Sequence, residues 1–246
     1  MAGIATALVV TLVLTAGSLL PHRHPRVLYV LGDSWSAGLY ADPARALAQD
    51  AAAELHMTPI VDAQSGTGYL IAPAGTQTYP QRAAAISVDV PVSVVVIQGG
   101  SNDDVADLGA LPKAVTATID AVERTLPGAR IVLLGPGPDP WPVTAMQRSV
   151  DAVLARTAAS EDVTYLSPMR EGWFTSATID RIIDPANAHP TAAGQAILGH
   201  LLAQDLRDVL PLGPAAPGRG GHHLVVLPTT PSVTSAGRQR SRTAGG

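Results

Sequence analysis

An unbroken run of β-prone residues at 92–98 (VSVVVIQ) is the feature that most limits how this chain can fold. A strand that is apolar on both faces is typical of a parallel sheet covered by helices on both sides, whereas a strand facing water on one side alternates apolar and polar residues. A second apolar run lies near the amino end, at 27–31 (VLYVL). The two runs predict an α/β domain built on a parallel sheet.

The segments around these runs alternate between strand-like and helix-like patterns. Three shorter apolar segments are interpreted as strands: 60–62, 130–134 and 163–166. Four segments with helical spacing lie among and after them: 42–56, 111–126, 143–159 and 191–210. Strands alternating with helices predict a doubly wound parallel sheet. Two long loops remain, 64–80 and 167–188, and long loops inside compact domains are usually functional.

Polar motifs stand at the ends of two predicted strands. Residues 32–36 (GDSWS) follow the first strand, and residues 99–103 (GGSND) follow the run at 92–98. A third motif, His189-Pro190-Thr191, precedes the closing helix. Ligands of open α/β sheets bind at the carboxyl ends of the strands, so Ser34 and His189 can converge there as nucleophile and general base. Each motif alone is also compatible with a simple turn, because Gly, Asp, Asn and Ser are common turn residues.

Taken together and in order, the three motifs resemble those of the SGNH (GDSL-type) serine hydrolases. The resemblance implies a flavodoxin-like three-layer sandwich with a five-stranded parallel sheet, and a nucleophile at Ser34. It also implies an oxyanion hole formed by the backbone N–H of Ser34, the backbone N–H of Gly66 and the side chain of Asn102. Gly68 is an alternative to Gly66, because the loop repeats Gly-Thr-Gly. Asp33 has a structural role in the nucleophile loop under this resemblance.

The third member of the catalytic triad is where the sequence departs from the family. The family pattern is Asp-x-x-His, but the residue three positions before His189 is Ala186. The nearest preceding acid is Asp184, and we expect it to complete the triad because an anion stabilises the imidazolium that forms during catalysis. Asn187 or a backbone carbonyl orienting the ring is the alternative, and Asp180 is an outside one.

Both ends of the chain differ in composition from the hydrolase domain predicted at 25–210. Residues 1–24 hold a long apolar stretch, which favours a signal peptide or an N-terminal membrane anchor, although the basic residues after the stretch argue against export. Residues 211–246 are rich in Gly, Pro, Ser, Thr and Arg and are predicted to be disordered. We expect a secreted or cell-envelope location, with membrane anchoring through the leader as one form of it, and a monomer.

Composition excludes several classes of function. The chain has 16 basic and 20 acidic residues, and four of the basic residues lie after position 210, so the rest carries 12 basic against 20 acidic. Such an acidic body does not suggest a nucleic-acid binder. There is no cysteine, which excludes disulfides and thiolate metal sites. Without clustered metal ligands or a glycine-rich phosphate motif, we expect neither a metal nor a cofactor.

The sequence therefore predicts a serine hydrolase that cleaves carboxylic esters through an acyl-enzyme, with short acyl or acetyl esters of carbohydrate or lipid as substrates. A non-catalytic module that binds acylated glycans on the same fold is the alternative, favoured only by the spacing of Asp184. A flavin-binding domain is a third reading. Four aromatic residues on loops are expected either to contact the substrate or to cap the core: Tyr69, Trp141, Trp173 and Phe174.

Overall fold

The computed structural model describes residues 26–139 and 141–210, together with the backbone of residues 225–226. The predicted leader at 1–24 lies outside the described residues. Five parallel strands form the centre of the domain: β1 (Val27–Gly32), β2 (Thr58–Ala63), β3 (Val94–Gln98), β4 (Arg130–Leu134) and β5 (Thr164–Leu166).

The order of these strands across the sheet is β5-β4-β3-β1-β2. On one side β1 pairs with β2, with Val27 opposite Thr58, and on the other side it pairs with β3, with Leu28 opposite Val94. This order confirms the predicted flavodoxin-like fold. The connections leave β1 and β3 in opposite directions, so a crevice opens at the carboxyl ends of these two neighbouring strands.

Six helices flank the sheet: α1 (Leu47–Glu54), α2 (Tyr79–Ala84), α3 (Leu111–Thr125), α4 (Ala145–Ser160), α5 (Ile179–Ile182) and α6 (Ala192–Val209). Alternate residues of each strand point to opposite faces, so Val30 packs in the core beside α1 and α6, whereas Leu31 packs in the core beside α2, α3 and α4. Both faces are covered, which explains why the central strands are apolar throughout.

The structure differs from the predicted elements mainly inside the two long loops. The helix α2 lies at the end of the first loop, where Thr78 and Gln81 form a reciprocal capping box. That spacing is a recognisable helix-start signal. The second loop contains α5 and two short antiparallel strands, β6 (Ile183–Asp184) and β7 (His189–Pro190). Elements this short have too few residues to show a periodic pattern.

A sixth strand, β8 (Val225–Val226), pairs in parallel with β2, with Ile60 opposite Val225. The rest of the range predicted to be disordered, 211–246, lies outside the described part of the chain. Within the described ranges, no helix combines the length and the apolarity needed to cross a membrane.

Candidate active site

The nucleophile candidate lies in a tightly packed turn at the end of β1. Ser34 is buried, and its neighbour Asp33 accepts a hydrogen bond from the N–H of Trp35 at 2.9 Å. A side chain on Gly32 would overlap Ser36, whose hydroxyl donates to Gln98 Oε1 at 2.6 Å. The turn is therefore held against the end of β3 by its own short polar side chains.

The serine and the histidine that the sequence singled out are in contact. Ser34 Oγ lies 2.9 Å from His189 Nε2, and His189 Nδ1 lies 2.6 Å from the backbone carbonyl oxygen of Asn187. A carbonyl oxygen can only accept, so Nδ1 must carry the proton that it donates there. This tautomer leaves the lone pair of Nε2 facing the serine hydroxyl, which is the arrangement that a general base requires.

The structure does not bring the carboxylate of Asp184, the predicted third member of the triad, onto the imidazole, so this assignment stays a prediction. This carboxylate accepts the backbone N–H of Ala186 and the side-chain amide of Asn187, each at 2.9 Å. These bonds close the turn between β6 and β7, so the carboxylate stabilises the turn rather than the imidazole. The carbonyl of Asn187 takes its place at the ring, as the backbone alternative anticipated. Asp180 is exposed on α5.

Local backbone geometry aims that carbonyl at the ring. Asn187 Oδ1 accepts the backbone N–H of His189 at 3.0 Å. Between these two residues Ala188 has a φ of +57°, in the left-handed region that residues with a Cβ adopt at an energetic cost. Because φ of Ala188 helps to set the orientation of the preceding peptide group, this strained residue helps to direct the Asn187 carbonyl towards Nδ1.

The predicted oxyanion donors follow β1, β2 and β3, which end at the same edge of the sheet. In the described part of the chain, the backbone N–H groups of Ser34 and Gly66 donate to no other group. The N–H of Gly68 donates to the carbonyl of Ile71 at 2.8 Å, so the alternative donor is already engaged. Asn102 donates one amide hydrogen to the carbonyl of Thr67 at 2.9 Å, and its second amide hydrogen has no such partner.

Sequence reasoning missed the residue that anchors the loop carrying Gly66. Arg82 on α2 is 3% exposed and forms an ion pair with Asp62 at 2.9 Å. The same guanidinium donates to the carbonyl of Gly32 and to the hydroxyl of Thr67, each at 3.0 Å. One buried cation therefore ties the ends of β1 and β2 to the loop. No local pattern marks an arginine for this role, because its partners come from three separate segments.

A second anchor holds the same loop from the β3 side. Asp103 is completely buried and accepts the N–H groups of Tyr69 and Leu70 at 2.9 and 2.8 Å. Burial raises the pKa of Asp103, and the two N–H groups oppose that shift by favouring the carboxylate. The motif at 99–103 contained this residue, but its sequence did not reveal that the partner would be the loop after β2.

The charge of His189 acts on two carboxyl groups, those of Asp33 and Asp139. Burial raises the pKa of Asp33 to about 6, against the opposing effects of the Trp35 N–H, the Gln98 side chain and the charges of His189 and Arg82. Burial also raises the pKa of the half-buried Asp139, and the charge of His189 opposes the shift. Both carboxyl groups are thus within electrostatic range of the base.

The loop aromatic residues divide by burial. Tyr69, Trp173 and Phe174 are all less than 10% exposed and cap the core, whereas Trp141 is 40% exposed. A residue that the sequence did not single out, Tyr40, packs its ring against that of His189, with centroids 5.2 Å apart.

No three His, Asp or Glu residues of the described ranges stand close enough together to bind a metal ion.

Comparison with known proteins places this chain in a family. The model of the GDSL-like lipase/acylhydrolase family matches residues 30–197, a span that includes Ser34, Gly66, Asn102 and His189. No curated protein matches the chain.

Solved structures share the fold at low sequence identity. A carbohydrate acetylesterase from Sinorhizobium meliloti, Est24, is 17% identical with a TM-score of 0.56, and the match covers 75% of this chain and 100% of that one. An aryl esterase from M. smegmatis is 18% identical with a TM-score of 0.55 over 75% and 100%. A carbohydrate esterase family 2 enzyme with its carbohydrate-binding domain, from Myceliophthora fergusii, is 20% identical with a TM-score of 0.59 over 74% and 66%.

Proposed function

This chain belongs to the GDSL-like lipase/acylhydrolase family and is an SGNH-type esterase, and we propose that Ser34 and His189 perform its ester hydrolysis through an acyl-enzyme. The observation that carries this assignment is the 2.9 Å contact between Ser34 Oγ and His189 Nε2, together with the 2.6 Å contact between Nδ1 and the carbonyl oxygen of Asn187. A nucleophile, a base in contact with it and a group that orients the base are the parts that such a mechanism needs.

In the first half of the reaction, Ser34 Oγ attacks the ester carbonyl while its proton passes to His189 Nε2. The tetrahedral intermediate then collapses, the bond to the alcohol breaks, and the alcohol leaves with the proton from Nε2. In the second half, water gives a proton to Nε2 and attacks the acyl group, and the acid leaves as Ser34 recovers its proton. The histidine is therefore an imidazolium at two points, and the Asn187 carbonyl accepts its Nδ1–H throughout.

The negative charge on the intermediate requires donors that are already in position. The N–H groups of Ser34 and Gly66 and the second amide hydrogen of Asn102 are proposed to supply them. Their support is that all three donors follow strands that end at this edge of the sheet and that none is used by another group of the described chain. Arg82 and Asp103 keep the loop of Gly66 in place, so little reorganisation is needed when the charge develops.

Short acyl groups are the proposed acyl half of the substrate. Carbohydrate and lipid alcohols remain the proposed alcohol half of the substrate. The names of the structural neighbours, a carbohydrate acetylesterase and an aryl esterase, add sugar and aryl esters as the first candidates to test.

The test is hydrolysis of p-nitrophenyl acetate, butyrate and a long-chain ester by the full chain, beside Ser34→Ala. We expect turnover of the short esters that the substitution abolishes, with an unchanged circular dichroism spectrum. Labelling by a fluorophosphonate probe separates the alternatives when turnover is negligible, because an activated serine reacts with the probe without its natural substrate. Absence of both turnover and label would instead support the non-catalytic module that binds acylated glycans.

A further inference from the structure

Tyr40 combines three features that its surroundings do not explain. Its side chain is 69% exposed, although it is a large aromatic residue. Its ring stands edge-to-face against that of His189, at an interplanar angle of 79°. Its hydroxyl group has no hydrogen-bond partner in the described ranges of the chain. Tyr40 is therefore held at the mouth of the crevice neither by burial nor by a polar contact of its own.

The backbone of Tyr40 is also strained. Its φ is +64°, in the left-handed region that a bulky aromatic residue rarely adopts. The turn that imposes this conformation directly follows the nucleophile. In it, the N–H of Leu39 donates to the carbonyl of Ser34 at 3.0 Å, and the N–H of Ala41 donates to the carbonyl of Gly38 at 2.9 Å. Strain of this kind concentrates at functional sites, where the surrounding structure maintains it.

The role of His189 as general base indicates which part of the substrate lies beside Tyr40. His189 Nε2 returns its proton to the oxygen of the departing alcohol, so that oxygen must come within hydrogen-bond distance of the imidazole. A side chain packed against the imidazole and open to solvent therefore borders the alcohol half of the ester. Resting on the esterase function proposed above, we propose that Tyr40 forms a leaving-group subsite that favours alcohols whose ester oxygen is carried on an uncharged ring, aryl or sugar.

The surroundings of Tyr40 support an uncharged ring with an apolar face as the occupant. An aromatic face offers a flat apolar surface on which another ring packs with little loss of conformational freedom. Val105 and Trp141, on the loops after β3 and β4 at the same edge of the sheet, are also exposed apolar side chains, at 82% and 40%. Asp104 and Asp139 on those loops are acids, and the charges of Asp104 and His189 both act on Asp139, which disfavours an anionic alcohol near the imidazole.

Acetyl esters of different alcohols provide the test, because they share one acyl-enzyme and differ in kcat/KM only through acylation. The esters are phenyl acetate, a methyl acetylglucoside and, as an activated ester without a ring, trifluoroethyl acetate. We expect Tyr40→Ala to lower kcat/KM about fivefold to tenfold for a ring ester, in line with the strength of aromatic packing, and by less than about twofold for trifluoroethyl acetate. Tyr40→Phe should match the wild type on all three.

The two ring esters also distinguish the source of the ring. A selective loss on phenyl acetate alone assigns the subsite to aryl alcohols, and a selective loss on the acetylglucoside alone assigns it to sugars. An equal loss on all three esters would overturn the proposal, because Tyr40 would then act on His189 or on the fold. No loss on any ester would overturn it as well.

Failure of the esterase function is separated from failure of the subsite by a binding measurement. Phenol and methyl glucoside are titrated into the Ser34→Ala protein, with and without Tyr40→Ala, and the ring-proton resonances of His189 are followed by NMR. Weaker binding of either alcohol after Tyr40→Ala supports the subsite even if no ester is hydrolysed. Equal binding in the two proteins, or binding in neither at millimolar alcohol, overturns it.

Discussion

Two segments complete the active site around Ser34, and they are held in opposite ways. The loop that carries Gly66 is fixed by buried side chains from distant parts of the chain, Arg82 and Asp103. The turn that carries His189 is fixed by hydrogen bonds among residues 184–189, within six consecutive positions. One segment depends on the tertiary fold, whereas the other is organised locally and lies nearer to solvent.

This difference corresponds to what each segment does in the proposed mechanism. Oxyanion donors are effective only if they are aimed before charge develops, which a buried ion pair and a buried carboxylate ensure. The histidine needs one correct tautomer and orientation, and a single backbone carbonyl supplies both. Loss of a buried anchor should therefore damage folding and catalysis together, while changes in the local turn should have small effects.

The largest effect is expected from Arg82→Leu. It removes the cation paired with Asp62 and leaves this largely buried carboxylate with the Tyr29 hydroxyl as its remaining side-chain partner, so the free energy of unfolding should fall by about 3–5 kcal/mol. Urea denaturation measures it. If this variant does not fold, Thr67→Val removes the hydroxyl that accepts from Arg82 and donates to the carbonyl of Gln64, and it should cost about 1 kcal/mol per hydrogen bond with a clear decrease in kcat. A Thr67→Val protein with unchanged kcat would contradict the anchoring role of Arg82.

The next prediction concerns the raised pKa of Asp33, a carboxyl group on which the charges of both His189 and Arg82 act. Its pKa in the folded state is about 6, above the usual 3.8, so the folded protein binds this proton more tightly than the unfolded chain. The resulting stabilisation is present below about pH 4 and is lost as the pH rises through about 6. Asp33→Asn should therefore equal the wild type in stability near pH 4 and exceed it by up to about 3 kcal/mol above pH 7. Urea unfolding of both proteins across this pH range measures the difference in their free energies of unfolding. A difference that does not change with pH would contradict the raised pKa of Asp33.

The histidine turn is tested by Asp184→Ala. Because the ring donates to the Asn187 carbonyl, kcat should fall by less than about tenfold, whereas a triad in which the acid contacts the ring loses on the order of 10⁴ when that acid is changed. Asn102→Ala serves as the matched change on the oxyanion side and should cost about a hundredfold or more in kcat. A loss at Asp184 as large as the loss at Asn102 would mean that the carboxylate reaches the imidazole during the reaction.

The smallest effect is expected from Ala188→Gly. Glycine adopts a φ of +57° without the steric cost of a Cβ, and this gain outweighs the greater freedom of glycine in the unfolded chain. The melting temperature should rise slightly, by the equivalent of about 0.5 kcal/mol, with kcat unchanged. Ala186→Gly in the same turn is the control and should not stabilise. A decrease in kcat for Ala188→Gly would show that the strain itself contributes to catalysis.

Much of the site was predictable because its parts are local in sequence. Ser34 and Asn102 follow strands directly, and the topology of a parallel sheet brings strand ends together whatever their separation in the chain. His189 was predictable for the same reason, since it precedes the helix that packs back on the sheet. The contacts of the Asp184 carboxylate were not predictable, because the spacing of an acid does not reveal whether its carboxylate will close a turn or reach an imidazole ring.

The sequence by itself determined the α/β class, the order of elements and the three motifs at one edge of the sheet, since these follow from apolar periodicity and strand ends. Only the tertiary structure decided that Arg82 anchors the oxyanion loop, that a carbonyl orients His189 and that Tyr40 packs against it. The physical reason is that these contacts depend on backbone dihedral angles and on desolvated partners from separate segments, and neither is encoded in a short stretch of residues.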